Sequence, residues 1–245
     1  MRQVPLPLVP QPPASFETFE EGDNALLVAQ LRAEIPPRSP LYLWGPSGCG
    51  KTHLLQALAL ACRQQGWGVT RLDTGSPALG HLGNLGNLVS LDAGVGLLVL
   101  DDVHLLPAPA QREAFALLVE AQSHGLPWAA AGPVPPVDLP LRDDLRSRLG
   151  WGHVHAVQAL SEAQTRAVLR READRRGVAL GDEVLDYLLS RFARDLGHLM
   201  PLLDRLDEYA LAHGRALTVP LLRQMLAESP VRPDQEIQPS LELDS

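Results

Sequence analysis

Short apolar segments alternate with helix-length segments through the first two thirds of the chain. Five apolar segments fit buried strands, at residues 41–44, 69–72, 97–100, 128–131 and 154–157. Helices are predicted over residues 24–34, 52–65 and 109–123, and a further helix is predicted to end near Leu149. Strands separated by helices favour parallel pairing. The pattern therefore predicts an α/β fold with a parallel sheet covered on both faces.

Beyond the fifth strand the apolar positions follow only the helical period, and capping residues mark the boundaries. Ser161 and Gln164 fit a capping box, and Asp182 is predicted to cap the next helix. Thr218 is predicted to cap a last helix, whose first turn tolerates Pro220. These signals predict a small all-helical domain after the α/β domain.

The two ends of the sequence differ in composition from the rest. Prolines interrupt residues 1–15, which are predicted to form an extended arm. The α/β domain is assigned to residues 16–158 and the helical domain to residues 159–229. Residues 230–245 carry acidic side chains with little to bury, which predicts a disordered tail. A glycine-rich stretch at 75–96, whose order the sequence leaves open, separates the second and third strands.

The overall composition describes a folded, acidic protein. Of 245 residues 45% are hydrophobic, and the formal net charge is −8, which disfavours sequence-blind adsorption to DNA or anionic lipid. Cys49 and Cys62 fall in one loop-helix segment, too far apart to bridge, which is typical of a reduced, cytoplasmic protein. No apolar stretch approaches the roughly 20 residues that span a bilayer, so neither a membrane helix nor a signal peptide is predicted.

The segment between the first strand and the following helix matches the phosphate-loop pattern. It consists of Gly45, Pro46, Ser47, Gly48, Cys49, Gly50, Lys51 and Thr52. In this pattern backbone N–H groups and a helix N-terminus face the phosphates, the lysine reaches the β- and γ-phosphates, and the hydroxyl holds Mg²⁺. Among 21 basic residues Lys51 is the one lysine. The alternative is a glycine turn that merely joins a strand to a helix.

Two acidic residues directly follow the third, fully apolar strand. At this position Asp101 is expected to lie beside the phosphate loop and hold Mg²⁺ through water. Asp102 is expected to orient the attacking water. The alternative for such a pair is helix capping.

Three segments of the sequence resemble the AAA+ module of the bacterial replication initiator DnaA. They are residues 45–54, 97–104 and 141–152, of which the last reads LRDDLRSRLGWG. The similarity covers most of residues 15–228, and the helical part is similar to that of short regulators in the same DnaA-related family. The resemblance implies an AAA+ phosphate-loop core with a C-terminal helical lid. It stops where DnaA would continue into a helix-turn-helix domain, so direct sequence-specific DNA binding is not expected.

The resemblance implies roles for further residues. Arg148 matches the arginine finger of the family, and Arg194 matches the lid arginine that senses nucleotide. Asp23 and Asn24, which follow Gly22, match the segment that borders the adenine. From the residues alone, the favoured interpretation of Arg148 is a surface arginine in salt bridges with Asp143 and Asp144, and that of 22–24 is a turn and helix cap; the resemblance reverses the preference for Arg148. Pro201 predicts that the helix carrying Arg194 starts late or kinks.

One strand end departs from the family pattern. Where a polar residue usually faces the γ-phosphate, the sequence reads Ala131-Gly132-Pro133, and proline offers neither a polar side chain nor a backbone N–H. We therefore expect nucleotide binding with weak hydrolysis in this protein's own pocket. The nucleotide bound in this pocket then sets the conformation of the protein, and Arg148 acts on another subunit.

The N-terminal arm resembles the clamp-binding peptide of short DnaA-related regulators. Gln3, Leu6 and Leu8 match the glutamine and leucines that fit a groove on the replicative sliding clamp. A proline-stiffened segment loses less entropy on docking than a flexible one. The alternative is a disordered proline-rich arm without a partner.

Three functions remain open at this stage. The leading hypothesis is a negative regulator of replication initiation that holds ADP or ATP with Mg²⁺, binds the sliding clamp, and stimulates ATP hydrolysis by DnaA through Arg148 in trans. The second is a self-sufficient phosphate-loop ATPase such as a helicase loader. The third is a DnaA-like module that binds replication proteins without stimulating hydrolysis. Homo-oligomerisation and the choice between ADP and ATP are left open by the sequence.

Overall fold

The computed structural model describes residues 13–72, 95–192 and 195–228. The chain divides into two compact units, an α/β unit that ends at Ala159 and a helical unit that begins at Leu160. The predicted arm and acidic tail, and most of the glycine-rich stretch 75–96, lie outside the described residues. Within the described part, no helix is long and apolar enough to cross a membrane.

Five parallel strands form the sheet of the α/β unit. They are β1 Leu41–Trp44, β2 Gly68–Leu72, β3 Val95–Leu100, β4 Trp128–Gly132 and β5 His153–Ala156. Their order is β2-β3-β4-β1-β5, so β1 lies between β4 and β5. The parallel α/β prediction is confirmed, and each strand lies within two residues of its predicted bounds. The phosphate loop thus follows a strand that is flanked on both sides.

Helices cover both faces of this sheet because alternate strand residues point to opposite sides. The helices are α1 Ala25–Ala33, α2 Lys51–Gln64, α3 Ala108–Ser123 and α4 Asp143–Leu149. Leu41 and Leu43 pack in one apolar cluster with α1 and α2, whereas Tyr42, between them, packs in a second cluster with α3 and α4. The two clusters hold the strand ends in fixed positions under the site.

Four further helices make up the helical unit around their own leucine-rich core. They are α5 Glu162–Arg175, α6 Asp182–Arg191, α7 Leu196–His213 and α8 Val219–Glu228. The capping box of Ser161 and Gln164 is confirmed, and the Thr218 hydroxyl accepts a hydrogen bond from the N–H of Leu221 at 3.4 Å. The all-helical prediction for this part of the chain is correct.

Two details of the helical unit correct the sequence predictions. Asp182 does not cap α6: Gly181 is the N-cap residue, and the Asp182 carboxylate pairs with Arg170 on α5 instead. Pro201 lies inside α7, which begins at Leu196, so Arg194 precedes this helix instead of lying on it. Asp195 caps that helix, and one bond lost at a proline is offset by the buried leucines on both sides of it.

Candidate functional site

The phosphate loop connects β1 to α2 and begins directly after the last strand residue. Pro46, Ser47 and Gly48 form its exposed tip. Gly50 precedes the helix with a φ of 99°, and a Cβ atom there would lie 2.6 Å from the Phe19 ring. A side chain is therefore excluded at this position by both backbone conformation and space. Among the described residues no side chain caps α2, so the N–H groups of its first turn are available to an anion.

Lys51 is the buried cation of the loop, with 8% of its surface exposed. Its ammonium donates to the carbonyl oxygens of Gly45 and Pro46, both at 2.8 Å, and lies 3.8 Å from the Cys49 sulfur. Carbonyl oxygens satisfy the donors without cancelling the positive charge. The arrangement keeps a full cation at the position where the phosphate-loop pattern requires one.

Asp101 lies at the carboxyl end of β3, buried and beside the phosphate loop. Its carboxylate accepts a hydrogen bond from Thr52, and it lies 3.6 Å from the Arg71 guanidinium on the neighbouring strand. Burial raises the pKa of Asp101, while the Thr52 hydroxyl and Arg71 oppose that rise. A hydroxyl and a carboxylate are the hard oxygen donors that Mg²⁺ prefers. The sequence prediction that Thr52 and Asp101 lie together agrees with this geometry.

Asp102 adopts a left-handed backbone conformation, with φ 48°. Its N–H donates to the Asp101 carboxylate at 3.0 Å, and its own side chain makes no capping hydrogen bond to the short 3₁₀ helix Val103–Leu105. The capping alternative therefore does not account for this acid. A non-glycine residue in this conformation is strained, which is typical of functional positions.

Asn24 has a different environment from the exposed Asp23 beside it. Its side-chain amide donates to the Gln158 carbonyl at 2.9 Å and accepts from the Gln158 N–H at 2.7 Å. Both polar atoms of the buried amide are thus used by the backbone that follows β5. Asn24 therefore fixes the start of α1 against the segment that follows β5.

Arg148 is placed near the end of α4 and carries no salt bridge within the described residues. Asp143 pairs with Arg146, and Asp144 pairs with Arg142, so the salt-bridge alternative for Arg148 is not observed. Its guanidinium instead donates to the side-chain oxygen of Gln122 and lies over the Trp151 ring, 4.7 Å from the ring centroid.

The strand end at Gly132 is filled from within the protein. A Cβ atom on Gly132 would lie 2.2 Å from the Tyr42 hydroxyl, which donates to the Val134 carbonyl at 3.0 Å. Tyr42 is buried, and burial raises its pKa far above the usual range. A larger residue is therefore excluded at position 132.

Four predicted site residues lie outside the described part of the chain. They are Gln3, Leu6 and Leu8 of the arm, and Arg194 between α6 and α7. Their assigned roles stay predictions.

Residues of the segment before α1, which were not predicted as part of the site, support the phosphate loop. The Phe19 ring packs against Gly50 and lies 5.4 Å from the His53 ring, and the Phe16 carbonyl accepts from Arg32 at 2.7 Å. The segment before α1 therefore packs against the start of α2. Two buried aromatic residues in an otherwise polar segment were the available signal.

The fold and the site together define an AAA+ phosphate-loop protein with a C-terminal helical unit. Family models agree at both ends: the bacterial DnaA ATPase domain matches residues 11–70, and the Hda lid domain matches residues 162–226. An uncharacterized protein of Haemophilus influenzae is 31% identical over 231 residues, which cover 92% of this chain and 98% of that protein. The chain belongs to the Hda/DnaA-related AAA+ family.

Solved structures are similar over comparable lengths. Domain III of the Thermotoga maritima initiator DnaA superposes with a TM-score of 0.72 at 22% identity, covering 91% of this chain and 98% of that one. AMPPCP-bound DnaA from Aquifex aeolicus superposes with a TM-score of 0.61 at 26% identity, covering 72% of this chain and 60% of that one. The AAA+ fold assignment is thereby confirmed.

Proposed function

We propose that this protein is a negative regulator of DNA replication initiation. It acts with the sliding clamp and stimulates ATP hydrolysis by DnaA, supplying Arg148 to the partner's site. The observation that carries the proposal is that Arg148 sits at a helix end held by an amide and an indole, while the neighbouring Arg142 and Arg146 pair with carboxylates. Because the chain belongs to the DnaA-related family, we assign the nucleotide site of DnaA as the site that receives this arginine.

Arginine suits the proposed task because a guanidinium neutralises charge on a transferring phosphoryl group. Such fingers typically raise hydrolysis rates by about 10³ to 10⁵. A finger acts in trans when its guanidinium does not enter its own pocket, and the described contacts of Arg148, near the end of α4, are with Gln122 and Trp151 rather than with the phosphate loop. Supply of this group to DnaA would shorten the lifetime of the ATP-bound initiator.

The nucleotide of this protein, ADP or ATP, is expected at residues 45–52. Lys51 supplies the cation, the open N-terminus of α2 supplies backbone donors, and the segment 22–24 borders the base. AMPPCP-bound DnaA of Aquifex aeolicus supports this assignment by its fold and ligand. Thr52 and Asp101 would hold Mg²⁺, which when bound supplies charge neutralisation at the phosphates.

Weak hydrolysis in this protein's own pocket is part of the proposal. We assign Asp102 the role of orienting the attacking water, but the strand end of β4 offers Gly132 and Pro133 instead of a polar side chain. We therefore assign the bound nucleotide a conformational role. The cytoplasm is the expected location, and clamp contact is assigned to Gln3, Leu6 and Leu8, without sequence-specific DNA contact by this chain.

The decisive experiment measures phosphate release by ATP-loaded DnaA in the presence of DNA-loaded clamp and ADP. Wild-type protein is expected to accelerate hydrolysis, and Arg148→Ala should lose at least about 100-fold of that stimulation, as fingers do. Arg142→Ala, which removes a carboxylate-paired arginine next to the same helix, is the matched control and should stimulate normally. A clamp pull-down with and without residues 1–8 checks the arm separately.

If Arg148→Ala stimulates as well as the wild type, Arg148 is an ordinary surface residue and the proposed mechanism is wrong. Equal clamp capture with and without residues 1–8 would remove the arm from the proposal while leaving the finger intact.

The second candidate is a self-sufficient phosphate-loop ATPase such as a helicase loader. The observation that favours it is the complete set of Lys51, Thr52 and Asp101 around one loop. Sustained multiple-turnover hydrolysis by the isolated protein, at rates like those of DnaA or faster, would favour this candidate over the regulator.

A further inference from the structure

We infer that Gln122 and Trp151 are positioning residues for Arg148, which hold its guanidinium in place while leaving its charge intact. The inference rests on the proposed function of Arg148. Gln122 is the next-to-last residue of α3, and its side-chain oxygen accepts one N–H of the guanidinium. Trp151 follows α4 and is 56% exposed, with the guanidinium over its ring.

The two contacts fix the guanidinium from different directions. Gln122 engages one of its five N–H donors, and a stacked ring engages the face of the group rather than its edge. The remaining N–H donors therefore stay available to a phosphate. A long arginine side chain otherwise samples many rotamers, so this support reduces the entropy lost when it enters a partner's site.

The support is itself well anchored. Trp151 donates its backbone N–H to the Arg148 carbonyl at 3.1 Å, so both residues belong to one turn. The same turn is tied to the sheet because the His153 N–H donates to the Pro40 carbonyl at 2.8 Å. At the other end of α3, Gln111 accepts the Arg142 N–H at 3.0 Å, which fixes where α4 begins.

The partner of Arg148 at position 122 is an amide rather than a carboxylate, and this difference indicates its role. Arg142 and Arg146, on the same short segment, are bound by Asp144 and Asp143. A glutamate at position 122 would bind Arg148 more strongly than glutamine does, since charge-assisted hydrogen bonds exceed neutral ones. It would also neutralise the group that the partner needs.

The test therefore compares Gln122→Glu with Gln122→Ala in the clamp-dependent DnaA hydrolysis assay. With Gln122→Glu, maximal stimulation is expected to fall about fivefold, because the surface ion pair formed with Arg148 would have to be broken. With Gln122→Ala the expected loss is about two- to threefold. The concentration for half-maximal stimulation should stay unchanged in both, because the partner surface is otherwise intact. A merely structural role predicts the opposite order, with glutamate as good as the wild type.

Trp151 is tested by a conservative pair. Trp151→Phe retains an aromatic face and should stimulate within about twofold of the wild type, whereas Trp151→Leu should lose about two- to fivefold, as expected for an exposed cation–π contact. In the free protein, nuclear magnetic resonance gives a readout without DnaA. The Arg148 side-chain N–H signal, assigned by its loss in Arg148→Ala, should move when Trp151 becomes leucine and stay nearly in place with phenylalanine.

These experiments distinguish the positioning role of Gln122 and Trp151 from the proposed function of Arg148. If Arg148→Ala abolishes stimulation but Gln122→Glu and Trp151→Leu stimulate normally, the positioning inference is overturned and the proposed function stands. If Arg148→Ala itself stimulates normally, both fall. An Arg148 resonance that ignores Trp151→Leu would overturn the stacked arrangement independently of any activity.

Discussion

Lys51 and Arg148 in the α/β unit are held differently from Arg166 and Arg176 in the helical unit. Lys51 contacts backbone carbonyls, and Arg148 contacts an amide and an indole. In the helical unit Arg166 pairs with Asp186 on α6 at 2.7 Å, and Arg176 pairs both with Glu172 on α5 and with Asp204 on α7. Through these pairs Arg166 and Arg176 connect helices of the helical unit to one another.

Under the proposed function, this difference separates arginines that stabilise the fold from cations that act on a phosphate. A carboxylate partner stabilises an arginine and cancels much of its field, whereas a neutral acceptor satisfies the donors and leaves the charge for an anion. The α/β unit also contains paired arginines, and among them Arg142 and Arg146 lie beside Arg148. Removing a cation with neutral partners should therefore affect nucleotide binding or DnaA stimulation, whereas breaking a carboxylate pair should affect stability.

The largest effect is expected at Lys51. Lys51→Ala should weaken binding of a fluorescent ADP analogue by at least about 100-fold, since several charge-assisted hydrogen bonds to phosphate are lost together. Lys51→Arg is the charge-preserving control and should bind more weakly than the wild type because a planar fork does not fit the space of an ammonium. Tight binding by Lys51→Ala would show that the loop does not hold the phosphates.

The sequence was sufficient to predict the sheet, the order of strands and helices, and the phosphate loop. These features are local: four apolar residues make a buried strand, and eight residues in fixed spacing carry Lys51 and Thr52. The sequence also placed Asp101 beside the phosphate loop because it directly follows a buried strand, and the structure brings its carboxylate to the Thr52 hydroxyl.

The surroundings of the two cations could not be predicted in the same way. Gln122 and Arg148 lie 26 residues apart, and nothing local marks an exposed glutamine as an acceptor for a particular arginine. The Tyr42 hydroxyl that fills the space beside Gly132 comes from a neighbouring strand. Asp182 was assigned to a cap because the sequence shows an acid at a helix start but not the Arg170 that attracts it.

An intermediate effect is expected when the carboxylate network of the helical unit is broken. The Arg175 and Arg176 side chains lower the pKa of Glu172 from 4.5 to about 2, with Arg175 contributing most. Glu172→Gln should reduce the free energy of unfolding by about 1–3 kcal/mol at pH 7, the range for hydrogen bonds to a charged group. Urea denaturation followed by circular dichroism measures this loss.

The same variant predicts a pH dependence. Because the folded-state pKa of Glu172 is depressed, its stabilisation is fully present above about pH 4.5 and is lost as the pH falls toward about 2. The difference between wild type and Glu172→Gln should therefore shrink between pH 5 and about pH 3. Asp174→Asn, an exposed carboxylate of the same helix, is the control. A pH-independent difference would mean that Glu172 acts through packing rather than through charge.

The smallest effect is expected where the α/β unit pairs an exposed arginine with an acid. Asp144→Asn removes the negative charge that faces Arg142. It keeps a side-chain oxygen for the hydrogen bond that the Leu145 N–H donates to Asp144 at 2.8 Å. Stimulation of DnaA hydrolysis should stay within about twofold of the wild type, because surface ion pairs contribute little. The unpaired Arg142 then matches Arg148 in charge but not in support, since no Gln122 or Trp151 holds it. If Asp144→Asn instead restored hydrolysis to Arg148→Ala, an available charge alone would suffice and its position would not matter.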